Sequence, residues 1–154
     1  MVGVGCALPR PVFSARYRVR WHETDAAGLV HFSNFFRYCE RTEEDFLLSL
    51  GFRYSFAGGG NVPRVAFPRV VAECSYTAPL RPGDVFRVDI VSVAVGNKSI
   101  EYRFEITNET LGRPSASCRI VAVAFDVAEG RSIPVPEELR RRLLEAGAVE
   151  KPKS

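Results

Sequence analysis

Between Arg16 and Trp21 apolar and polar residues alternate, with Tyr17, Val19 and Trp21 set against Arg16, Arg18 and Arg20. That two-residue period predicts a half-buried strand over 15–22. The period then changes. From Phe35 to Leu50 the apolar residues Phe35, Cys39 and Phe46 share a face at three- and four-residue steps, with Thr42 completing the row. Phe36, Leu47 and Leu50 add apolar surface, and Arg37, Glu40, Arg41, Glu43 and Glu44 are interleaved. The spacing predicts a helix capped by Ser33 and stopped by Gly51.

After Pro63 the pattern is that of strands. Val65–Tyr76 is expected to form one long or bent strand with Pro68 at an edge or kink. Val85–Val95 alternates and turns at Gly96-Asn97-Lys98 into Ser99–Thr107. A second turn over 108–114 leads to a strand over 115–127. Glu137–Ala146 reads as a short amphipathic helix. One long helix followed by antiparallel hairpins defines an α+β domain, and a curved sheet wrapped around the helix would bury both apolar faces. The expected organisation is a loose segment over 1–13, one domain over 14–147 and a charged tail over 148–154. Gly58-Gly-Gly60 lies in a linker over 52–64 that could also act as a lid. It is not a phosphate loop, because neither a Lys-Ser/Thr pair nor a helix follows it.

Composition narrows the class. Hydrophobic residues make up 46% and charged residues 25%, as in water-soluble globular domains. A net charge of +3 is too small to argue for nucleic acid, though a local basic cluster could meet an anionic ligand. The polar face formed by Arg16, Arg18 and Arg20 is most simply a solvated one. No stretch reaches transmembrane length. The opening residues lack the basic start and apolar run of a signal peptide. Cys6, Cys39, Cys74 and Cys118 form no CxxC pair, so neither zinc nor a redox motif is expected. The expectation is four reduced thiols in a cytoplasmic protein.

The candidate chemistry sits between the first strand and the helix, in His22-Glu-Thr-Asp25-Ala-Ala-Gly28-Leu-Val-His31-Phe32-Ser-Asn34. A carboxylate there lies beside a helix start, where backbone N–H groups lack intrahelical partners and the dipole is positive. Such a helix start can polarise a carbonyl, and the carboxylate can act as nucleophile or general base. Asp25 could equally be an ordinary turn residue.

Asp25-Ala-Ala-Gly28-Leu-Val-His31-Phe32-Ser-Asn34-Phe resembles the active-site signature of the 4-hydroxybenzoyl-CoA thioesterase family. The order of elements over residues 14–127 matches as well. The resemblance implies a hotdog fold and an acyl-CoA thioesterase that yields free acid and CoA. It assigns Asp25 to attack on the thioester carbonyl or to activation of water, and the Phe32 N–H to the thioester oxygen. Gly28 would let the loop approach closely. His31 would orient water or the acyl group, or cap the helix, since some relatives carry a histidine one position later. Asn34 would position the loop. No cofactor beyond the CoA of the substrate is implied, and Arg81, Lys98 and Arg113, in or beside turns, are candidates to bind it.

A second branch of hotdog enzymes uses a helix glutamate. Glu40 and Glu44 would fill that place, or be solvated or paired with Arg37 and Arg41. The partners implied are an acyl-CoA and further copies of the chain, as a homodimer pairing into a homotetramer. Neither nucleic acid nor membrane is expected. The same motif also resembles 1,4-dihydroxy-2-naphthoyl-CoA hydrolases. A hotdog enoyl-CoA hydratase and a non-catalytic acyl-CoA binding module are the rival readings.

Overall fold

The alternation around Arg16 forms a strand, β1 (Phe13–Arg18), in the computed structural model, which describes residues 10–52 and 64–152. The remaining strands are β2 (Val65–Ala66), β3 (Arg69–Tyr76), β4 (Val85–Val95), β5 (Ser99–Asn108), β6 (Arg113–Val123), β7 (Phe125–Asp126), β8 (Arg131–Ser132) and β9 (Val149–Glu150). The helices are α1 (Phe32–Ser49) and α2 (Glu137–Glu145). The main sheet has the order β1-β4-β5-β6-β3 and is antiparallel, with β9 joining β4 in parallel. The small sheet is β2-β7-β8.

Several boundaries differ from expectation, and the strand expected over 115–127 is divided into β6 and β7, which belong to different sheets. Trp21–Glu23 is a 3-10 turn, so the first strand ends at Arg18. Proline has no N–H to give a ladder, and the run across Pro68 breaks into β2 and β3. The charged tail is partly pinned, because Val149 and Glu150 pair with Ala94 and Val95. The segment expected to be loose over 1–13 is bonded at its end, since Val12 N–H donates to Ile90 O at 2.8 Å and Phe13 opens β1; its residues 1–9 and the Gly58–Gly60 stretch fall outside the described residues.

The hotdog architecture follows from which face each element buries. Along α1, Phe35, Tyr38, Cys39, Thr42, Glu43 and Phe46 are buried at helical spacing. They meet the inner face of the sheet, where Phe86, Val88, Ile90, Phe104 and Ile106 are fully buried. Leu47 and Leu50 are only partly buried against this core. The outer face is polar and self-paired. Arg16 lies 2.6 Å from Glu109, Arg87 bridges Glu109 and Asp89 at 3.2 and 3.0 Å, and Arg18 donates to the Gly83 carbonyl. Arg16 is exposed, and a pair such as Arg16–Glu109 adds little stability.

Cys74 and Cys118 correct the expectation of four free thiols: they form a disulfide. They lie 44 residues apart in sequence, yet β3 and β6 pair in a register that places them directly opposite. Sequence spacing carries no information on that register. Cys39 is free and buried, and burial, with the nearby Glu43 carboxylate, pushes its thiol far above the ordinary range. Cys6 lies outside the described residues. Among the described residues no helix is long and apolar enough to cross a membrane.

Candidate active site

Asp25 opens a tight turn. Its carbonyl accepts from Gly28 N–H at 3.0 Å and its own N–H donates to Leu29 O at 2.9 Å. Gly28 closes the turn at φ +74°, a left-handed conformation that favours glycine. Oδ1 of Asp25 accepts from Ala27 N–H at 2.9 Å and Leu29 N–H at 3.5 Å. Among the described residues nothing donates to Oδ2. The carboxylate is therefore an Asx-turn residue with one oxygen engaged and the other without a donor among the described residues.

α1 begins at Phe32, three residues earlier than expected, and its cap is His31 rather than Ser33. The imidazole Nδ1 accepts from Ser33 N–H at 3.3 Å and lies 2.7 Å from Ser33 Oγ. A ring nitrogen that accepts is the bare one, so the His31 proton sits on Nε2. The ring also stacks on Phe32 at 4.4 Å. Asn34 N–H bonds to His31 O at 2.9 Å. That leaves the Phe32 N–H as the helix-start donor with no acceptor among the described residues.

Asp25 and Phe32 line one open pocket of about 380 Å³ with Leu29, Phe35, Tyr76 and Pro79. Tyr76 is a site residue that sequence reasoning missed, since it lies 44 positions after Phe32. Its hydroxyl donates to the Phe32 carbonyl at 3.0 Å, and its ring stands edge-on to Phe35 at 4.9 Å. Burial raises its phenol pKa, which keeps the hydroxyl a donor. Asn34 Nδ2 donates to the Glu23 carbonyl at 2.6 Å, a bond between the helix start and the preceding loop.

The three basic candidates are divided. Arg81 follows Leu80, whose carbonyl accepts from Val30 N–H at 2.9 Å, so it stands at the pocket end of the sheet. Arg113 opens β6 at the same end, opposite Asn108. Lys98 precedes β5 at the other end, roughly 30 Å away for a ten-residue strand. There it lines a larger, open hollow of about 1260 Å³ with Arg140 and Lys151. That hollow is remote from Asp25, and the chemistry favours the smaller pocket.

Of the helix glutamates, Glu40 is exposed and Glu44 half-buried, and neither pairs with Arg37 or Arg41 among the described ion pairs. Arg41 instead lies over the Tyr17 ring at 4.6 Å. The inward-facing acid is Glu43. Arg69 Nη1 donates to its Oε1 at 3.0 Å, and Nη2 lies 2.8 Å from Oε2 without hydrogen-bond alignment. The spacing could have shown this, since Glu43 follows Cys39 by four residues and precedes Phe46 by three.

Burial raises the Glu43 pKa above 4.5, and Arg69 opposes this only in part. Above pH 4.5 the unfolded chain releases a proton that the native state still holds, so Glu43 costs stability as pH rises through that window. Glu43→Gln cannot ionise. Its melting temperature is expected to gain on wild type as pH rises from 4.5. A difference that stays flat with pH would show that Arg69 offsets the whole burial cost.

A sheet wrapped on one helix, with a carboxylate loop at the helix start, defines the hotdog class. Residues 19–143 match the model of the thioesterase-like superfamily, and the chain belongs to that family. A protein of Aquifex aeolicus described as an esterase is 32% identical over 82% of this chain and 94% of its own length. A 1,4-dihydroxy-2-naphthoyl-CoA hydrolase of Synechococcus is 31% identical over 85% of this chain and 88% of its own. The crystal structure of a gentisyl-coenzyme A thioesterase superposes with a TM-score of 0.71 at 27% identity, covering 82% of this chain and 98% of that one. The fold and the enzyme class expected from the sequence, a hotdog and a thioester hydrolase, are those of this family.

Proposed function

We propose that this chain hydrolyses an acyl-CoA thioester to the free acid and CoA. The observation that carries the reading is the shared pocket: Asp25, with a carboxylate oxygen that has no donor among the described residues, and Phe32, whose helix-start N–H has no acceptor there, both line it. A thioester carbonyl seated there accepts from the Phe32 N–H, whose fixed position stabilises the developing oxyanion. Either Asp25 Oδ2 attacks the carbonyl carbon, CoA leaves as a thiolate and water then cleaves the acyl-aspartyl anhydride to the free acid, or Oδ2 takes a proton from a water that attacks the carbonyl directly as CoA leaves. The 4-hydroxybenzoyl-CoA thioesterase signature supports Asp25 as the reacting group. Arg81 and Arg113 stand where they could meet CoA phosphates.

A second reading names the acyl group. Phe32, Phe35 and Tyr76 give the pocket aromatic walls, which suits a flat aroyl thioester. The similarity to a 1,4-dihydroxy-2-naphthoyl-CoA hydrolase favours the same choice. The signature of the hydratases places the histidine closer to the aspartate, after an Asn-Pro step, and neither feature stands in this sequence.

The active form is proposed to contain two copies, paired further into a tetramer. Within the described residues β3 is an edge strand bonded only to β6, and Val70 on it is 60% exposed. Phe32, which lines the pocket, is 63% exposed. Pairing of two β3 edges across a two-fold axis would cover both features.

The test is thiol release from benzoyl-, acetyl-, octanoyl- and palmitoyl-CoA, alongside loss of enoyl absorbance from crotonyl-CoA. Thiol release from at least one thioester is expected, with benzoyl-CoA favoured. Enoyl loss without thiol would transfer the chain to the hydratases, and no turnover of any probe would make it a binding module.

A further inference from the structure

Glu23 lies two residues before Asp25, and both its carboxylate and its backbone are tied to neighbouring elements. Its Oε2 accepts from the Tyr38 hydroxyl at 2.7 Å and from Arg20 N–H at 2.8 Å. Its backbone carbonyl accepts from His31 N–H at 3.0 Å and Asn34 Nδ2 at 2.6 Å. Tyr38 is a buried residue on the second turn of α1. His31 and Asn34 flank the Phe32 N–H. One residue therefore ties the strand side of the loop to the helix start and to the helix body. The intervening Thr24 is bridged to Val30, which leaves Asp25 little freedom of its own.

We propose that Glu23 is a positioning residue, setting the Asp25 carboxylate at a fixed offset from the Phe32 N–H. The proposal rests on the reading that Asp25 is the reacting group. Its physical basis is that a carboxylate and an oxyanion donor act together only when both reach the same carbonyl. A displacement of about 1 Å between such groups can lower the rate by roughly 10²-fold. Without its side chain, Glu23 would keep its carbonyl contacts and the backbone bond of the 3-10 turn but lose the anchor to Tyr38 and the capping bond from Arg20 N–H. The loop could then tilt about its helix-start contacts. Burial, together with the Glu23 carboxylate, pushes the Tyr38 phenol far above its ordinary range, so it stays a donor at all working pH.

The experiment compares Glu23→Ala, Glu23→Gln, Tyr38→Phe, Asp25→Asn and the double variant Glu23→Ala/Asp25→Asn. Each is assayed for thiol release with whichever of the four acyl-CoA probes wild type turns over fastest, and melted as a control. Glu23→Ala is expected to lower kcat by roughly 10²-fold with KM little changed. Glu23→Gln keeps an acceptor for both donors and should recover most of that loss. The double variant should be no slower than Asp25→Asn alone, because a misplaced group that is already inert costs nothing more.

An inactive Asp25→Asn beside a fully active Glu23→Ala would overturn the positioning role and leave the mechanism standing. Independent, multiplicative losses in the double variant would overturn it too. An active Asp25→Asn would remove the mechanism itself, and this role with it. Should Glu23→Ala melt below the assay temperature, Tyr38→Phe carries the test. It must then lower kcat severalfold while folded, and an unchanged kcat overturns the proposal.

Discussion

Phe46→Ala is expected to lose about 3–5 kcal/mol of stability, the range for truncating a fully buried aromatic ring. Phe46 is 1% exposed, and its ring lies 5.6 Å from that of Phe13. It therefore joins α1 to the first strand of the sheet at the end of the helix away from the pocket. The cavity left behind lies in the close-packed interior between α1 and the sheet, so it cannot collapse cheaply. Domains of this size have about 5–15 kcal/mol in total, and the loss is a large share of that. Leu47, partly buried, should lose about 2 kcal/mol as alanine, at the low end of the same scale. Leu48, on the exposed side, should change by no more than about 0.5 kcal/mol. Urea titration reads all three. Equal losses at positions 46 and 48 would contradict the placement of the helix in the sheet.

Much of the site was legible because it is local in sequence. Asp25, Gly28 and Phe32 lie within eight consecutive residues, so their turn and their helix start are written in order. The hairpin at Gly96-Asn97-Lys98 was legible for the same reason. What failed to show was set by pairing between distant segments. The Cys74–Cys118 bond depends on the register of β3 with β6, and Tyr76 reaches Phe32 from the end of that edge strand. The helix start was misplaced because an imidazole took the capping role usually held by a hydroxyl or carboxylate side chain. Glu43 was missed despite its spacing, since a buried carboxylate is not expected on an apolar stripe unless a partner such as Arg69 reaches it.

Asp25 carries the central claim. Asn is nearly isosteric and keeps an oxygen to accept from Ala27 N–H and Leu29 N–H, so the turn and the fold should survive the exchange. What it removes is the charge on the free oxygen, and with it the power to attack a carbonyl or take a proton from water. Turnover should fall by roughly 10²–10⁴-fold, the range for losing a positioned acid–base group. KM should change little, because binding rests on CoA and acyl contacts elsewhere. The decisive measurement is steady-state thiol release by wild type and Asp25→Asn at saturating acyl-CoA, with a thermal melt of each. The account predicts matched melts and a kcat at least 10²-fold lower in the variant, by the same acid–base reasoning. A variant that melts like wild type and keeps most of its turnover would contradict it, leaving Asp25 a turn residue and passing the search to the helix glutamates Glu40 and Glu44.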